Sequence, residues 1–307
     1  MGHEKKTVSL VLGSGGARGL TQIGVIRCLE AQGYEIKSIA GCSIGALIGG
    51  IYGAGKLDLY EQWLESLEKT DVLRFLDFSF NRKGLFKGDK IIDVLMDLVG
   101  DHKIEELPIK YTCVATDIER EKEIWFTDGS LFESIRASIS IPSVFMPHYY
   151  RGMKLMDGGL LNPVPVAPTT GDNTDLTVAV NLNAKSARLH EKDVQLPDKA
   201  EEELNSFQKK LNELLERLLP EKQDEVPEAF TTDKFNMIDI MNHSVDIMQN
   251  AIAHAKMAIN KPDIFVEIPR DASGLFDFHK ADQLIEFGYQ LTQEAITDWQ
   301  NHRVNQL

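Results

Sequence analysis

Cysteine is scarce. Only Cys28, Cys42 and Cys113 occur in 307 residues, too few and too odd a number for a disulfide framework, so a reducing compartment is the simplest reading. Long apolar runs are missing as well. Near the N-terminus only Val8 to Leu12 are continuously apolar apart from Ser9, which is too short for a signal-peptide core. Lys6 stands where a myristoylation signal after Gly2 needs Ser or Thr. Nothing approaches the ~20 apolar residues of a membrane span. A cytoplasmic protein is expected, touching membranes transiently and from outside. Positive charge is also in short supply, with 33 Lys and Arg against 47 Asp and Glu, a net charge of −14. That balance excludes a sequence-independent nucleic-acid binder, which needs a basic face. It also opposes a tight, standing attraction to anionic lipid. There is no internal repeat and no low-complexity tract. What remains is ordinary: 43% hydrophobic and 26% charged residues match a soluble globular chain and exclude a mostly disordered one. The length allows one large domain or two ordinary ones, with a core that needs no disulfide or metal.

The apolar pattern predicts elements. Residues 7–12 read as a buried strand stopped by Gly13, and 19–32 as a helix with Leu20, Ile23, Ile26 and Leu29 on one face, ending at Gly33. Residues 36–41 read as a second strand, and Ser43 begins another helix through Ile44, Leu47, Ile48 and Ile51. Strand, helix and strand in so short a span imply a right-handed βαβ unit and a parallel sheet. Helices are expected near 58–78 and 88–99, a strand pair at 110–118 and 123–128, and a short helix at 130–138 ended by Pro142. Later strands are expected at 175–183 and 263–268, and closing helices near 236–260 and 279–302. Met237, Met241 and Met248 recur at helical spacing, which points to a packed face.

The stretch 184–235 is different in kind, charged and without strand patterning. Leu204, Phe207, Leu211, Leu214, Leu215 and Leu218 make 201–219 an amphipathic helix. Between 198 and 225 there are five basic and nine acidic residues, too acidic for a membrane-surface helix. It reads as a helix packed on the body or as a mobile cap over a lipid site.

Three segments carry chemistry. Gly41-Cys42-Ser43-Ile44-Gly45 matches G-x-S-x-G and sits where a strand turns into a helix. Such a turn needs small flanking residues, and it exposes the hydroxyl at the carboxyl end of the sheet. The helix N-terminus there favours developing negative charge. The second segment is Gly13-Ser14-Gly15-Gly16-Ala17-Arg18-Gly19, between the first strand and the first helix. It fails the dinucleotide fingerprint, because Arg18 occupies the third glycine position when read from Gly13. Its exposed backbone N–H groups still suit an oxyanion or a phosphate. The third segment is the turn Asp157-Gly158-Gly159, which matters because a serine nucleophile needs a neighbour to take its proton. Gly50 to Gly55-Lys56 imitates a P-loop, but Leu57 follows in place of Ser or Thr and no strand precedes it.

Ser43, Asp157 and a later histidine such as His243, His254 or His279 would satisfy the Ser…Asp…His order of α/β-hydrolases. Position speaks against that fold, since only two strands precede Ser43. The glycine loop, the elbow and Asp157-Gly158-Gly159, in that order, instead resemble the patatin-like phospholipases, the bacterial branch related to the neuropathy target esterase catalytic domain. Arg136-Ala137-Ser138 to Pro142 and Asp277-Phe278-His279 resemble that branch too. The likeness covers roughly residues 7–183 and 236–290. It implies a single three-layer α/β/α hydrolase domain over 1–307, with a mostly parallel sheet and 184–235 as a charged helical insertion. It implies a Ser43–Asp157 dyad without histidine, and an oxyanion hole from Gly15, Gly16, Ala17 and Arg18, supported by Gly13, Gly19, Gly41, Gly45, Gly158 and Gly159. It implies hydrolysis of phospholipid or lysophospholipid acyl esters without metal or cofactor. Ser14 departs from the family's usual glycine at that place. The side chain of Arg18 is left between a lipid phosphate and a structural ion pair, and His148, His254 and His279 are expected to cap or pack. The alternatives are a Ser-His-Asp esterase of small soluble esters and a non-catalytic regulatory protein on the same scaffold.

Overall fold

A computed structural model describes residues 5–67, 86–142, 144–185 and 237–304. The chain divides into two compact units, Met1–Lys185 with Val245–Leu307, and Ser186–Ser244. In the second unit only the start of a helix, from Met237, lies among the described residues. The amphipathic helix expected at 201–219 and the rest of the 184–235 stretch beyond Lys185 lie outside them.

The first unit is built on an eight-stranded sheet: β1 (Thr7–Leu12), β2 (Glu35–Cys42), β3 (Lys110–Asp117), β4 (Lys122–Phe126), β5 (His148–Tyr150), β6 (Met153–Asp157), β7 (Leu176–Ala184) and β8 (Ile264–Pro269). The strand order is β5-β6-β3-β2-β1-β7-β8, with β4 paired to β3. β3, β2, β1, β7 and β8 run parallel, and β4, β5 and β6 add antiparallel pairings on the β3 side. Among the described residues the α-helices are α1 (Thr21–Ala31), α2 (Ile44–Gly53), α3 (Leu57–Glu65), α4 (Asp89–Val99), α5 (Leu131–Ser138), α6 (Met237–Ile259) and α7 (Ala281–Val304).

Alternation along β1 sorts the two faces of the sheet. Val8, Leu10 and Leu12 join the large core with Ile23 and Ile26 of α1, Ile48 of α2 and Ile296 of α7, while Val11 meets Ala253 and Met257 of α6 on the other side. Helices therefore cover both faces, as a buried parallel sheet requires. α1 and α7 touch backbone to backbone: a Cβ at Gly24 would strike the Ile285 carbonyl, and one at Gly288 the Thr21 carbonyl. At the amino-terminal edge Asp172 accepts hydrogen bonds from Ser9 (3.2 Å) and Ser38 (2.5 Å) and pairs with Lys110, joining three strands.

α5 covers Leu131–Ser138 as expected, and its last turn tightens before Pro142, with Ile139 N–H still bonded to Ile135 O and Ser140 N–H to Ala137 O. Expectation and structure differ in places. α3 ends at Glu65. Met248 is 56% exposed and does not belong to a packed face, while the side chains of Met237 and Met241 lie outside the described residues. β5 and β6 have no counterpart among the expected strands.

Candidate active site

The carboxyl ends of the parallel strands carry the site. β2 ends at Cys42, and Ser43 caps α2 with φ 56° and ψ −125°. That conformation is strained for a residue with a side chain, and the surroundings must hold it. A Cβ at Gly41 would lie 2.5 Å from the Gly45 carbonyl oxygen, and one at Gly45 would strike the Leu12 carbonyl, so the elbow can form only with glycine at both places. Ser138 accepts the Ser43 N–H (2.8 Å) and donates its own hydroxyl to the Val114 carbonyl (2.6 Å).

Asp157 reaches Ser43 by strand arithmetic. β2 pairs with β3 as far as Cys42 opposite Val114, and β6 pairs with β3 from Asp157 opposite Ala115. β4 overlaps both stretches of β3, so it occupies the opposite edge, and β2 and β6 share one edge end to end. Their carboxyl ends thus converge. Ser43 Oγ donates directly to Asp157 Oδ2 at 2.5 Å, with no imidazole between them. Both residues are 2% exposed. The Gly159 N–H donates to Asp157 Oδ1 (2.7 Å), and the Asp157 N–H donates to the Ser140 carbonyl (3.0 Å). Burial pushes the Asp157 carboxyl up to about 6, partly offset by the hydrogen bonds from Ser43, Gly159 and Cys42.

The glycine loop follows β1, and its polar groups can be accounted for one by one. Gly13 N–H donates to Val180 O (3.1 Å), and Ser14 N–H to Pro163 O (2.9 Å). Gly13 O accepts from Gln22 Nε2 (2.8 Å), Ser14 O from Asn183 Nδ2 (3.2 Å) and Gly15 O from Arg18 Nε (3.1 Å). The N–H groups of Gly15 and Gly16 have no acceptor among the described residues. Ala17 does not fit the donor set that the resemblance implied, because its N–H is engaged by Leu275 O at 2.9 Å. The Arg18 side chain faces inward and not toward a ligand: besides Gly15 O it reaches Arg270 O (2.6 Å) and Asn183 Oδ1 (3.0 Å), with Asp246 at 3.8 Å. Gly19 and Gly158 lie against Ile44 and Val114, and Gly159 against Ser14 and Gln249, too close for a side chain at any of them.

Ser43 and Gly16 stand at an apolar cavity of about 120 Å³, walled by Tyr60 and Leu64 of α3, Leu95 of α4, Ile139, Phe145 and Phe276. Among the described residues no histidine lines this cavity, although His279 directly follows Phe278, which does. His148 bonds to Glu133 (2.8 Å), His254 is exposed on α6, and the His243 side chain lies outside the described residues. Sequence reasoning missed the bracket formed by Ser138 and Ser140, which ties down both Ser43 and Asp157. A usable signal was there: Ser134, Ser138 and Ser140 are polar residues within the apolar register of α5 and its exit, and all are fully buried.

Residues 10–170 match the family model described as patatin-like phospholipase. An uncharacterized NTE family protein of Mycobacterium bovis is 36% identical, over 96% of this chain and 92% of its own. The lysophospholipase nte1 of Aspergillus niger is 27% identical, covering 92% of this chain and 18% of that protein. The patatin-like phospholipase domain-containing protein 7 of Mus musculus is 27% identical, covering 95% of this chain and 21% of that one. The chain thus corresponds to about a fifth of the fungal and mouse proteins, and to nearly the whole of the mycobacterial one. With the family model spanning more than half of its length, the chain belongs to the patatin-like phospholipase family, and with it to the lipid hydrolases.

Proposed function

We propose that the protein hydrolyses acyl esters of phospholipids or lysophospholipids through a Ser43–Asp157 dyad. The observation that carries this reading is the direct 2.5 Å hydrogen bond from the Ser43 hydroxyl to the Asp157 carboxylate. An alcohol is a weak nucleophile until a base removes its proton. A carboxylate raised to about 6 is a better base than an exposed one, and it stays ionised at neutral pH.

The chemistry follows from the contacts. Ser43 Oγ attacks the ester carbonyl carbon while its proton passes to Asp157. The negative charge gathering on the carbonyl oxygen is met by the free N–H groups of Gly15 and Gly16. The positive end of α2 lies at Ser43 and adds to that field. Collapse of the tetrahedral intermediate breaks the bond to the alcohol, which leaves with the proton from Asp157. Water then attacks the acyl-serine, Asp157 takes its proton, and collapse returns that proton to Ser43 Oγ as the fatty acid leaves. The apolar cavity beside Ser43 suits the acyl chain, and a lipid substrate would bring the enzyme transiently to a membrane surface. The names of the fungal and mouse relatives, a lysophospholipase and a patatin-like phospholipase, agree with this substrate class.

The test is hydrolysis of diacyl phospholipids and lysophospholipids by wild type, Ser43→Ala and Asp157→Asn. Each substitution should lower turnover by roughly a thousandfold or more while the fold persists. Wild-type-like activity in either folded variant overturns the dyad. Loss of activity on changing one histidine would favour the imidazole mechanism, and absence of labelling by a fluorophosphonate would favour a non-catalytic scaffold.

A further inference from the structure

The chain order places a topological switch between β1 and β7: from β1 the sheet grows through β2 and β3 on one side and through β7 and β8 on the other. Sites in open α/β sheets gather at the carboxyl ends of strands at such a point. The glycine loop leaves β1 there, and the neighbouring end of β7 carries Asn183, which is 2% exposed. Every polar group of its side chain is engaged. Nδ2 donates to the Ser14 carbonyl (3.2 Å) and to Gln249 Oε1 (3.3 Å), and Oδ1 accepts from Arg18 (3.0 Å). A guanidinium only donates, so Arg18 fixes which way round the amide sits.

We propose that Asn183 is a positioning residue that aims the Gly15 amide at the reacting carbonyl oxygen. In a trans peptide the C=O of one residue and the N–H of the next point in opposite directions. Asn183 holds the Ser14 carbonyl from one side, so the Gly15 N–H projects to the other. Arg18 does the same to the Gly15 carbonyl, and thereby to the Gly16 N–H. Asn183 in turn holds Arg18. One buried amide therefore governs both peptide planes whose N–H groups remain free, and Gly16 lies on the cavity that contains Ser43. Gly15 and Gly16 have no side chains to resist rotation of these planes. Orientation is imposed by Asn183 of β7, directly on the Ser14 carbonyl and through Arg18 on the Gly15 carbonyl.

The inference rests on the proposed reading of Gly15 and Gly16 as oxyanion donors, and the decisive variant is Asn183→Asp. The aspartate keeps an oxygen for Arg18 and adds a charge that suits it. It also sets an acceptor against the Ser14 carbonyl where a donor had been. A residue serving only to anchor Arg18 would be replaced without loss. A residue aiming the amide would not. We expect kcat to fall about 100-fold, KM to stay within about twofold of wild type, and affinity for a trifluoromethyl ketone transition-state mimic to fall in parallel with kcat, with the melting temperature maintained. Wild-type kcat and mimic affinity in folded Asn183→Asp overturn the proposal, as does a loss of kcat without a loss of mimic affinity. If the aspartate variant does not fold, Asn183→Ala takes its place with the same readouts, and failure of both to fold assigns Asn183 to the fold and overturns the proposal. Ser43→Ala, run alongside, separates the two readings. Activity surviving there removes the dyad and this inference together, whereas its loss there with Asn183→Asp unimpaired removes this inference alone.

Discussion

At the scale of single residues, the balance at Asp157 decides the pH behaviour. Burial raises its carboxyl from 3.8 to about 6, against the pull of three hydrogen-bond donors. The proposed dyad needs the ionised form, so kcat/KM should rise with pH through about 6 and level off above it, which a pH–rate profile on a soluble thioester would read. An acid limb near 4 would mean that the carboxylate is not held as described. Stability should move the opposite way. Between 3.8 and about 6 the folded protein binds more protons at this group than the unfolded chain does, so its contribution to stability falls as pH rises through that window. Asp157→Asn removes this contribution. The variant should therefore be more stable than wild type at pH 8, by on the order of 3 kcal/mol, and the advantage should vanish below pH 4 in denaturant titrations. Ser43 was legible as a candidate because a turn between strand and helix demands glycine neighbours; Asp157 was legible only from the Asp-Gly-Gly turn taken together with the family resemblance. Ser138, Ser140 and Asn183 were not. Serines set among the apolar residues of α5 mark a buried polar contact without naming its partner, and a lone Asn such as Asn183 carries no mark at all, its partner Ser14 lying 169 positions away.

At the scale of elements, the parallel strands were legible because a strand buried on both faces is a run of Val, Ile, Leu and Ala, as in β1 and β7. β5 and β6 escaped because they are three and five residues long and mix Tyr, His, Lys and Asp with apolar residues. That gap bears on the site, since β6 is the strand that carries Asp157 to the end of β2 and makes a contact between residues 114 positions apart. α3 and α4 add the apolar wall. Leu64 and Leu95 are 2% and 1% exposed, yet both line the cavity that opens beside Ser43. A larger side chain at Leu64 should shorten the space for an acyl chain. Leu64→Phe is expected to leave kcat/KM for a butyrate ester within about threefold of wild type. It should cut kcat/KM for a long-chain lysophospholipid at least about tenfold, in line with 1–3 kcal/mol per methylene of pocket contact. Equal losses on both substrates would place the acyl chain elsewhere.

At the scale of the whole molecule, charge and shape set how the enzyme meets its substrate. Among the described residues no helix is long and apolar enough to cross a membrane. On the proposed reading the substrate lies in a lipid surface, which the protein must meet. The net charge of −14 makes that approach depend on the surface. An anionic bilayer repels such a protein over roughly the Debye length, about 10 Å at 0.1 M salt and 30 Å at 0.01 M, and repulsion lowers the encounter rate before any contact forms. With the same acyl ester presented in zwitterionic and in anionic mixed micelles, initial rates at 0.01 M salt should favour the zwitterionic surface several-fold. The ratio should approach one as salt rises to 0.5 M. A ratio unchanged by salt would show that the approach is governed by a local patch and not by the overall charge. A preference for the anionic surface would point to a basic face that the summed charge conceals.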